Sequence, residues 1–247
     1  MAQYGFFFDQ SRCYDCKACA IQCKSWNSLE PGPEKWLRVF SWEEGTYPNL
    51  RLKALFAPCY HCSHPSCIEA CTEGAIFKED EFGAVLVDGD LCNGCRTCWE
   101  ACPYGSMSFT DVDGSVCMSK CTMCIDRLVE GLQPACVLSC PLRALDFGPL
   151  DEIKSKYGDI SQIDTMPDAS VTLPSLVIKP AAQRSQILPY DEARALELLA
   201  GRGDLEPLFE DTSELTEVFE GLVGRDALIM KPRDDEELMR LTQNDEG

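Results

Sequence analysis

The stretch CYDCKACAIQC at residues 13–23 places four cysteines at the spacing Cys-x2-Cys-x2-Cys-x3-Cys. Related spacings return three times, so that 16 of the 17 cysteines fall into four motifs of four. The motifs are Cys13, Cys16, Cys19 and Cys23; Cys59, Cys62, Cys67 and Cys71; Cys92, Cys95, Cys98 and Cys102; and Cys121, Cys124, Cys136 and Cys140. No cysteine follows Cys140 in the 247 residues, so the motif-bearing part of the sequence ends there.

This spacing is typical of [4Fe–4S] ligands. Three thiolates two residues apart on a loop can each bind one corner of an iron–sulfur cubane. The fourth cysteine lies on the helix that follows and points toward a second cubane, as in bacterial two-cluster ferredoxins. Such motifs work in pairs, and four all-cysteine motifs therefore predict four [4Fe–4S] clusters.

Zinc and disulfides are the alternatives. A zinc site usually takes two separated Cys-x2-Cys pairs, which leaves the remaining cysteines of each motif without a use. Disulfide scaffolds are usually short secreted chains, whereas this chain is long and residues 1–10 lack the features of a secretory signal. A zinc-bound interaction module is kept only as a disfavoured alternative.

Charge and hydropathy disfavour some classes of binding partner and a membrane span. The net charge of −19 disfavours nucleic acid and anionic membrane surfaces. No run of 18 apolar residues is present, so we expect no membrane-spanning helix. Residues 190–247 hold 17 acidic and 6 basic side chains, and their apolar residues recur at helical spacing, which predicts an acidic helical extension.

Local sequence patterns predict short strands and short helices. We predict strands at residues 4–8, 35–40, 52–56, 74–77, 84–87 and 144–147, and helices at residues 19–25, 97–101 and 125–130. Residues 79–83 read as the turn of a hairpin. The elements together indicate an α+β, ferredoxin-like arrangement that is used twice.

On these residues the chain resembles the iron–sulfur subunit of dimethyl sulfoxide reductase and its relatives, the electron-transfer subunits of polysulfide, tetrathionate, arsenate and nitrate reductases. The resemblance covers residues 3–180 and rests on the four motifs, with an eleven-residue gap in the fourth that is typical of the family. It also rests on QYGFF at 3–7, CPYG at 102–105, CVLSCPLRALDFG at 136–148 and VIKP at 177–180.

The resemblance implies which motifs pair, the first with the fourth and the second with the third. It implies four ligand sets: Cys13, Cys16, Cys19 and Cys140 (first); Cys23, Cys121, Cys124 and Cys136 (second); Cys59, Cys62, Cys67 and Cys102 (third); and Cys71, Cys92, Cys95 and Cys98 (fourth). Two pseudo-symmetric bacterial-ferredoxin-like halves follow, one formed by residues 1–45 plus 110–150 and the other inserted as residues 46–109. Residues 151–247 form a C-terminal extension that after about residue 183 is longer than in dimethyl sulfoxide reductase itself. Its apolar positions predict that it packs on a catalytic subunit, and a solvated helical appendage is the alternative.

The resemblance also implies function. The expected partner is a catalytic subunit with a molybdenum or tungsten bis-pterin cofactor, and the other redox partner is a quinol-linked membrane anchor or a soluble carrier. This chain itself shows no nucleophile–base group, phosphate-binding glycine loop or dinucleotide motif, so we expect no catalysis in it. A subunit of a hydrogenase-type complex is the main alternative. We expect the complex either at the outer face of the cytoplasmic membrane, exported with a signal-bearing partner, or in the cytoplasm.

Several residues near the motifs need separate interpretation. Cys117 is predicted to be a buried free thiol, since free cysteine packs as a small hydrophobe. His61 and His64 lie inside the second motif, where all four cysteines are already present, so they are not assigned as ligands. Six basic residues stand beside ligand cysteines, where positive charge would shift a cluster's potential: Lys17, Lys24, Arg96, Lys120, Arg127 and Arg143.

Overall fold

A computed structural model describes residues 2–45, 50–112 and 115–182 of the chain. The strands are β1 (Tyr4–Asp9), β2 (Leu37–Glu44), β3 (Arg51–Pro58), β4 (Ile76–Lys78), β5 (Val85–Val87), β6 (Ser108–Val112), β7 (Ser115–Ser119), β8 (Leu145–Pro149) and β9 (Leu176–Lys179). The helices are α1 (Ala18–Trp26), α2 (Ser66–Glu69), α3 (Thr97–Ala101), α4 (Ile125–Val129), α5 (Ala135–Leu138), α6 (Leu150–Tyr157) and α7 (Ala169–Thr172).

Strand β1 is the centre of the largest sheet, which has the order β8-β1-β9. Phe6, Phe7 and Phe8 are all buried, so the strand is apolar on both faces, as expected for a strand covered on each side. It pairs antiparallel with β8, where Phe6 faces Phe147, and parallel with β9. At Gly5 a Cβ would lie 2.7 Å from both the Leu150 side chain and the Ser175 carbonyl oxygen, so this close approach requires glycine.

Three two-stranded sheets surround this centre, formed by β2–β3, β4–β5 and β6–β7, each antiparallel. The hairpin predicted around residues 79–83 is confirmed as β4–β5. Its Gly83 has φ +72°, and the side-chain amide of Gln3 lies against it and donates hydrogen bonds to the carbonyl oxygens of Gly83 and His61. The N-terminal segment is thereby tied to the second cysteine motif.

Four of the helices carry motif cysteines and contact one another in two pairs. Helix α1, with Cys19 and Cys23, packs against α5, with Cys136. Helix α2, with Cys67, packs against α3, with Cys98. The first motif is therefore next to the fourth, and the second is next to the third.

The mixed helix and strand architecture agrees with the predicted fold class. Each predicted strand and helix overlaps an observed one, and helix 97–101 has the predicted bounds. Strands β6, β7 and β9 and helices α2, α5, α6 and α7 were not predicted as elements. No helix in the described part of the chain has the length and apolar character needed to cross a membrane.

Two of the predicted domain boundaries fall within β-hairpins. Boundaries 45/46 and 109/110 lie inside the hairpins β2–β3 and β6–β7, so these hairpins link the two predicted halves. Strand β9, within the range given to the extension, lies in the central sheet beside β1. The acidic helical part of that extension lies outside the described residues.

Leu176→Ala tests the central sheet. Leu176 is 0 % exposed in β9, and its truncation removes contacts and leaves a cavity, which should cost about 2–5 kcal/mol of stability. We expect a lower midpoint of thermal unfolding of the cofactor-loaded protein, followed by circular dichroism. Leu52→Ala, at a leucine 53 % exposed in β3, is the matched control and should change the midpoint little. Equal midpoints for the two variants would contradict the central role of β9.

Candidate metal centres

The four motif loops share one backbone feature. The residue just before the second cysteine is in the left-handed region in every motif: Asp15 (φ 60°), His61 (φ 44°), Gly94 (φ 71°) and Met123 (φ 62°). This region is unfavourable for residues other than glycine, so the surrounding structure must impose it. It lets the loop curl around its own sulfur, and the Met123 N–H donates to Cys121 Sγ at 3.4 Å.

The first ligand set lines one cavity. Cys13, Cys16, Cys19 and Cys140 line it together with apolar neighbours such as Phe8 and Leu145. The Ala144 N–H donates to Cys140 Sγ at 3.2 Å. Cys13 and Cys16 come from the loop that follows β1, Cys19 comes from α1, and Cys140 comes from the segment after α5, more than 100 residues later in the sequence.

The fourth ligand set lines a second cavity. Cys71, Cys92, Cys95 and Cys98 all lie on its wall. Apolar walls come from Ile76, Phe109 and Met118. The Met118 N–H donates to Cys92 Sγ at 3.5 Å. Sulfur ligands from the second and third motifs thus meet at one place.

The cysteines of the second set lie close to one another in the interior, and so do those of the third set. Burial raises the pKa of the Cys136 thiol well above its usual value, and the neighbouring Cys121, Cys124 and Cys23 raise it further. In the same way burial raises the pKa of Cys67, with further contributions from the other three members of its set. The structure therefore gathers the cysteines of each predicted set, including those from distant motifs.

Burial has a chemical consequence for these sulfurs. It raises the pKa of Cys13 to about 11 and that of Cys19 to about 12, because a thiolate loses its hydration there. Without a metal, Cys13 and Cys19 are therefore neutral thiols at pH 7. A metal centre binds the thiolate and supplies the opposing charge, so loading is coupled to loss of protons.

The donor set fits cubanes. In residues 2–45, 50–112 and 115–182, no three His, Cys, Asp or Glu side chains group closely enough to hold a single metal ion. A cubane differs because each of its four iron corners takes one thiolate, so the ligand sulfurs stand apart around a cage. Soft sulfur ligands in fours, apolar walls and backbone N–H donors to sulfur are what such a group needs. All 17 cysteines carry free sulfurs in the structure.

Cys117 differs from its prediction. It is half-buried rather than buried, because it stands on the two-stranded sheet β6–β7, which has fewer neighbours than the core. Its Sγ lies 3.8 Å from the Gly89 carbonyl oxygen, and its pKa is raised by burial and by the neighbouring Cys92. It is thus close to Cys92 of the fourth predicted set.

The two histidines have different environments. His61 is buried, and its Nδ1 accepts a hydrogen bond from the Val85 N–H at 2.9 Å. Burial, with Lys120 and Lys78 nearby, keeps the pKa of His61 well below its usual value, so the ring is neutral. His64 is exposed.

Of the six basic residues beside ligand cysteines, Lys120 alone is buried. The others lie nearer the surface; for example, Arg127 lies 4.3 Å over the Trp26 ring and Lys24 donates to the Glu30 carbonyl oxygen at 2.6 Å. Sequence reasoning did not single out Arg38, which is also buried and donates to the Gly105 carbonyl oxygen. Burial lowers the pKa of Arg38 to about 10, so it remains charged at neutral pH.

Comparison with known proteins agrees with this geometry. Residues 51–150 match the family model described as "4Fe-4S dicluster domain". The corresponding chain of anaerobic dimethyl sulfoxide reductase from Escherichia coli (strain K12) is 44 % identical over 188 residues, covering 73 % of this chain and 90 % of that protein. Its counterpart from Haemophilus influenzae is 38 % identical over 190 residues, with coverages of 73 % and 90 %. A subunit of sulfite dehydrogenase from Allochromatium vinosum is 36 % identical over 176 residues, with coverages of 63 % and 72 %.

The fold and the cysteine motifs together define an iron–sulfur protein of the ferredoxin type. More narrowly, the protein belongs to the family of iron–sulfur subunits of anaerobic dimethyl sulfoxide reductase, and its cofactors are [4Fe–4S] clusters. It is an electron-transfer protein.

Removal of iron should unfold this protein. Helices of four or five residues are not stable alone, and the sulfurs that hold them need metal bonds to remain in place. We expect chelation under reducing conditions to abolish the native circular dichroism spectrum, and reconstitution with iron and sulfide to restore it. A cooperative thermal transition of iron-free protein with an unchanged spectrum would contradict this.

Proposed function

We propose that this protein is the electron-transfer subunit of a molybdopterin oxidoreductase complex and relays electrons through four [4Fe–4S] clusters. One partner is a catalytic subunit with a molybdenum or tungsten bis-pterin cofactor, and the other is a quinol-linked membrane anchor or a soluble redox carrier. The observation that carries the proposal is the convergence of sixteen cysteines into four sets of four. The names of the relatives, a dimethyl sulfoxide reductase chain and a sulfite dehydrogenase subunit, support the kind of complex.

The ligand roles follow the four sets. Cys13, Cys16, Cys19 and Cys140 hold one cluster, and Cys23, Cys121, Cys124 and Cys136 hold the second. Cys59, Cys62, Cys67 and Cys102 hold the third, and Cys71, Cys92, Cys95 and Cys98 hold the fourth. When bound, each cluster accepts and donates one electron at a time.

The two-half architecture is part of the same proposal. Residues 1–45 plus 110–150 form one half, supported by the α1–α5 contact and by the β1–β8 pairing. Residues 46–109 form the inserted half, supported by the α2–α3 contact. Residues 150–179 add α6, α7 and β9 to the first half, so the appendage that we propose for the catalytic subunit is the stretch that follows them.

The order of the sets can be argued from burial and contact. Cys16 and Cys95 are exposed, whereas Cys121, Cys136 and Cys59 are buried, so the first and fourth sets are the terminal ones. Cys19 of the first set influences the pKa of Cys136 in the second.

The second set is connected to the third, and the third is connected to the fourth. Cys59 of the third set influences the pKa of Cys121 in the second. Helix α3 carries Cys98 of the fourth set, and Cys102 of the third set follows its last residue. The order first, second, third, fourth results, and redox partners would dock over Cys16 and over Cys95.

No catalytic role is assigned to this protein. Its relatives are named as subunits of oxidoreductases. The cavities of the first and fourth ligand sets are lined largely by cysteine and apolar side chains, which suit a buried cluster rather than a soluble substrate. Substrate chemistry is therefore placed in the partner.

The metal content of the purified complex separates the proposal from its alternatives. We expect molybdenum or tungsten in stoichiometric amount and no nickel, because the partner is taken to be a bis-pterin enzyme. Nickel in place of molybdenum and tungsten would favour a hydrogenase-type complex. Zinc in an iron-poor protein would favour an interaction module.

Ligand substitution tests the cluster count. The wild-type protein should contain about sixteen irons, four per cluster. Cys136→Ser should lower the iron content and give an altered or three-iron electron paramagnetic resonance (EPR) signal, because Cys136 is buried among the second set. Cys117→Ser is the control of the same chemistry, and we expect full iron content from it. Equal iron loss in both variants would overturn the assignment of Cys117 as a non-ligand.

A further inference from the structure

Lys120 is a buried ammonium group between two ligand sets. The residue is 3 % exposed and directly precedes Cys121 of the second set. Its Nζ lies 3.6 Å from Cys59 Sγ of the third set and 3.1 Å from the Cys121 carbonyl oxygen. It also donates to the Val85 carbonyl oxygen. A lysine ammonium has three N–H donors, and here each has one acceptor.

This charge has no carboxylate counter-ion within the described residues. The ion pairs found there join other groups: Lys17 with Asp15, Lys53 with Glu44, Lys156 with Asp146, and Lys179 with Asp9. An isolated buried charge costs several kcal/mol unless an opposite charge compensates it. Of its three hydrogen-bond partners, the sulfur of Cys59 is the one that can carry negative charge.

A second buried cation points to the same ligand set. Arg38 has its Nε without a hydrogen-bond partner, and one of its largest electrostatic neighbours is Cys102 of the third set. Two buried cations thus lie beside one group of four sulfurs. Such an arrangement is unfavourable around neutral thiols and favourable around an anionic metal–thiolate cage.

We propose that Lys120 is the resident counter-ion of the third ligand set and raises the reduction potential of the cluster held there. The inference rests on the proposed function, because it requires a cluster on Cys59, Cys62, Cys67 and Cys102. Reduction adds one negative charge to the cluster, so a fixed positive charge at its ligand sulfur stabilises the reduced form.

The contacts of Lys120 indicate at which cluster its charge raises the reduction potential most. Lys120 touches a sulfur of the third set but reaches the second set only through the carbonyl oxygen of Cys121. The first and fourth sets include the exposed Cys16 and Cys95, where solvent screens distant charges. The effect should therefore be largest at the third set, smaller at the second and absent at the first and fourth.

Lys120→Met is the decisive variant, since it keeps an unbranched side chain only one atom shorter and removes the charge. In the holoprotein, within its complex, we expect unchanged iron and sulfide content and a more negative midpoint potential for the third-set cluster in an EPR-monitored redox titration. The signal of that cluster is identified as the one altered in Cys67→Ser. Lys154→Met, at an exposed lysine on α6, is the matched control and should shift no potential.

Lys120→Arg keeps the positive charge and distinguishes charge from shape. We expect it to retain the third-set cluster with a potential close to that of the wild type. If Lys120→Met loses only the third-set cluster while Lys120→Arg keeps it, the counter-ion role is supported. Loss of that cluster from both variants would mean that shape, not charge, is required, and would overturn the proposal.

Two different outcomes would contradict the proposed function and the role of Lys120. An iron-poor wild-type protein would remove the proposed function itself. An iron-replete Lys120→Met variant whose third-set potential equals that of the wild type would remove only the counter-ion role of Lys120.

Discussion

Burial of cysteine sulfur is the constraint on which the rest of this structure depends. A buried thiolate is expensive without a compensating cation, and burial raises the pKa of Cys121 and Cys136 well above the usual value for a thiol. Helices α2 and α5 have only four residues each, too few to be stable by backbone hydrogen bonding alone. With the proposed ligand roles, the sulfur–metal bonds that relieve this electrostatic cost would also fix the short helices, and the cofactor would be part of the core.

The spacing of cysteines predicts the local structure well and the tertiary structure less well. Helix α3 was predicted with its observed bounds, because the Cys-x3-Cys step from Cys98 in the helix to Cys102 just after it requires about one helical turn. Strand β9 was not predicted, because its partner β1 lies some 170 residues earlier in the sequence and its four residues carry no periodic signal of their own. The left-handed position of each motif was also hidden, since Asp15, His61 and Met123 occupy it and only Gly94 is a residue that prefers it.

The sequence predicts some features of the candidate site and not others. The residue types and the existence of four motifs could be read from the sequence, since no other common metal site uses cysteine at these steps. Which motif lies next to which depends on contacts such as α1 with α5, which local sequence does not encode. Lys120 looks the same in sequence as Lys24, since both adjoin a ligand cysteine, yet only Lys120 is buried against a sulfur of a different motif.

The net charge of the chain and the charge beside one group of cysteines have opposite signs. The chain has a net charge of −19, yet two buried cations, Lys120 and Arg38, interact with cysteines of the third ligand set. Surface charges are screened over about 8–10 Å at physiological ionic strength, whereas buried charges are screened much less. The potential of a cluster held in the interior would therefore depend more on a few fixed side chains than on the net charge of the chain.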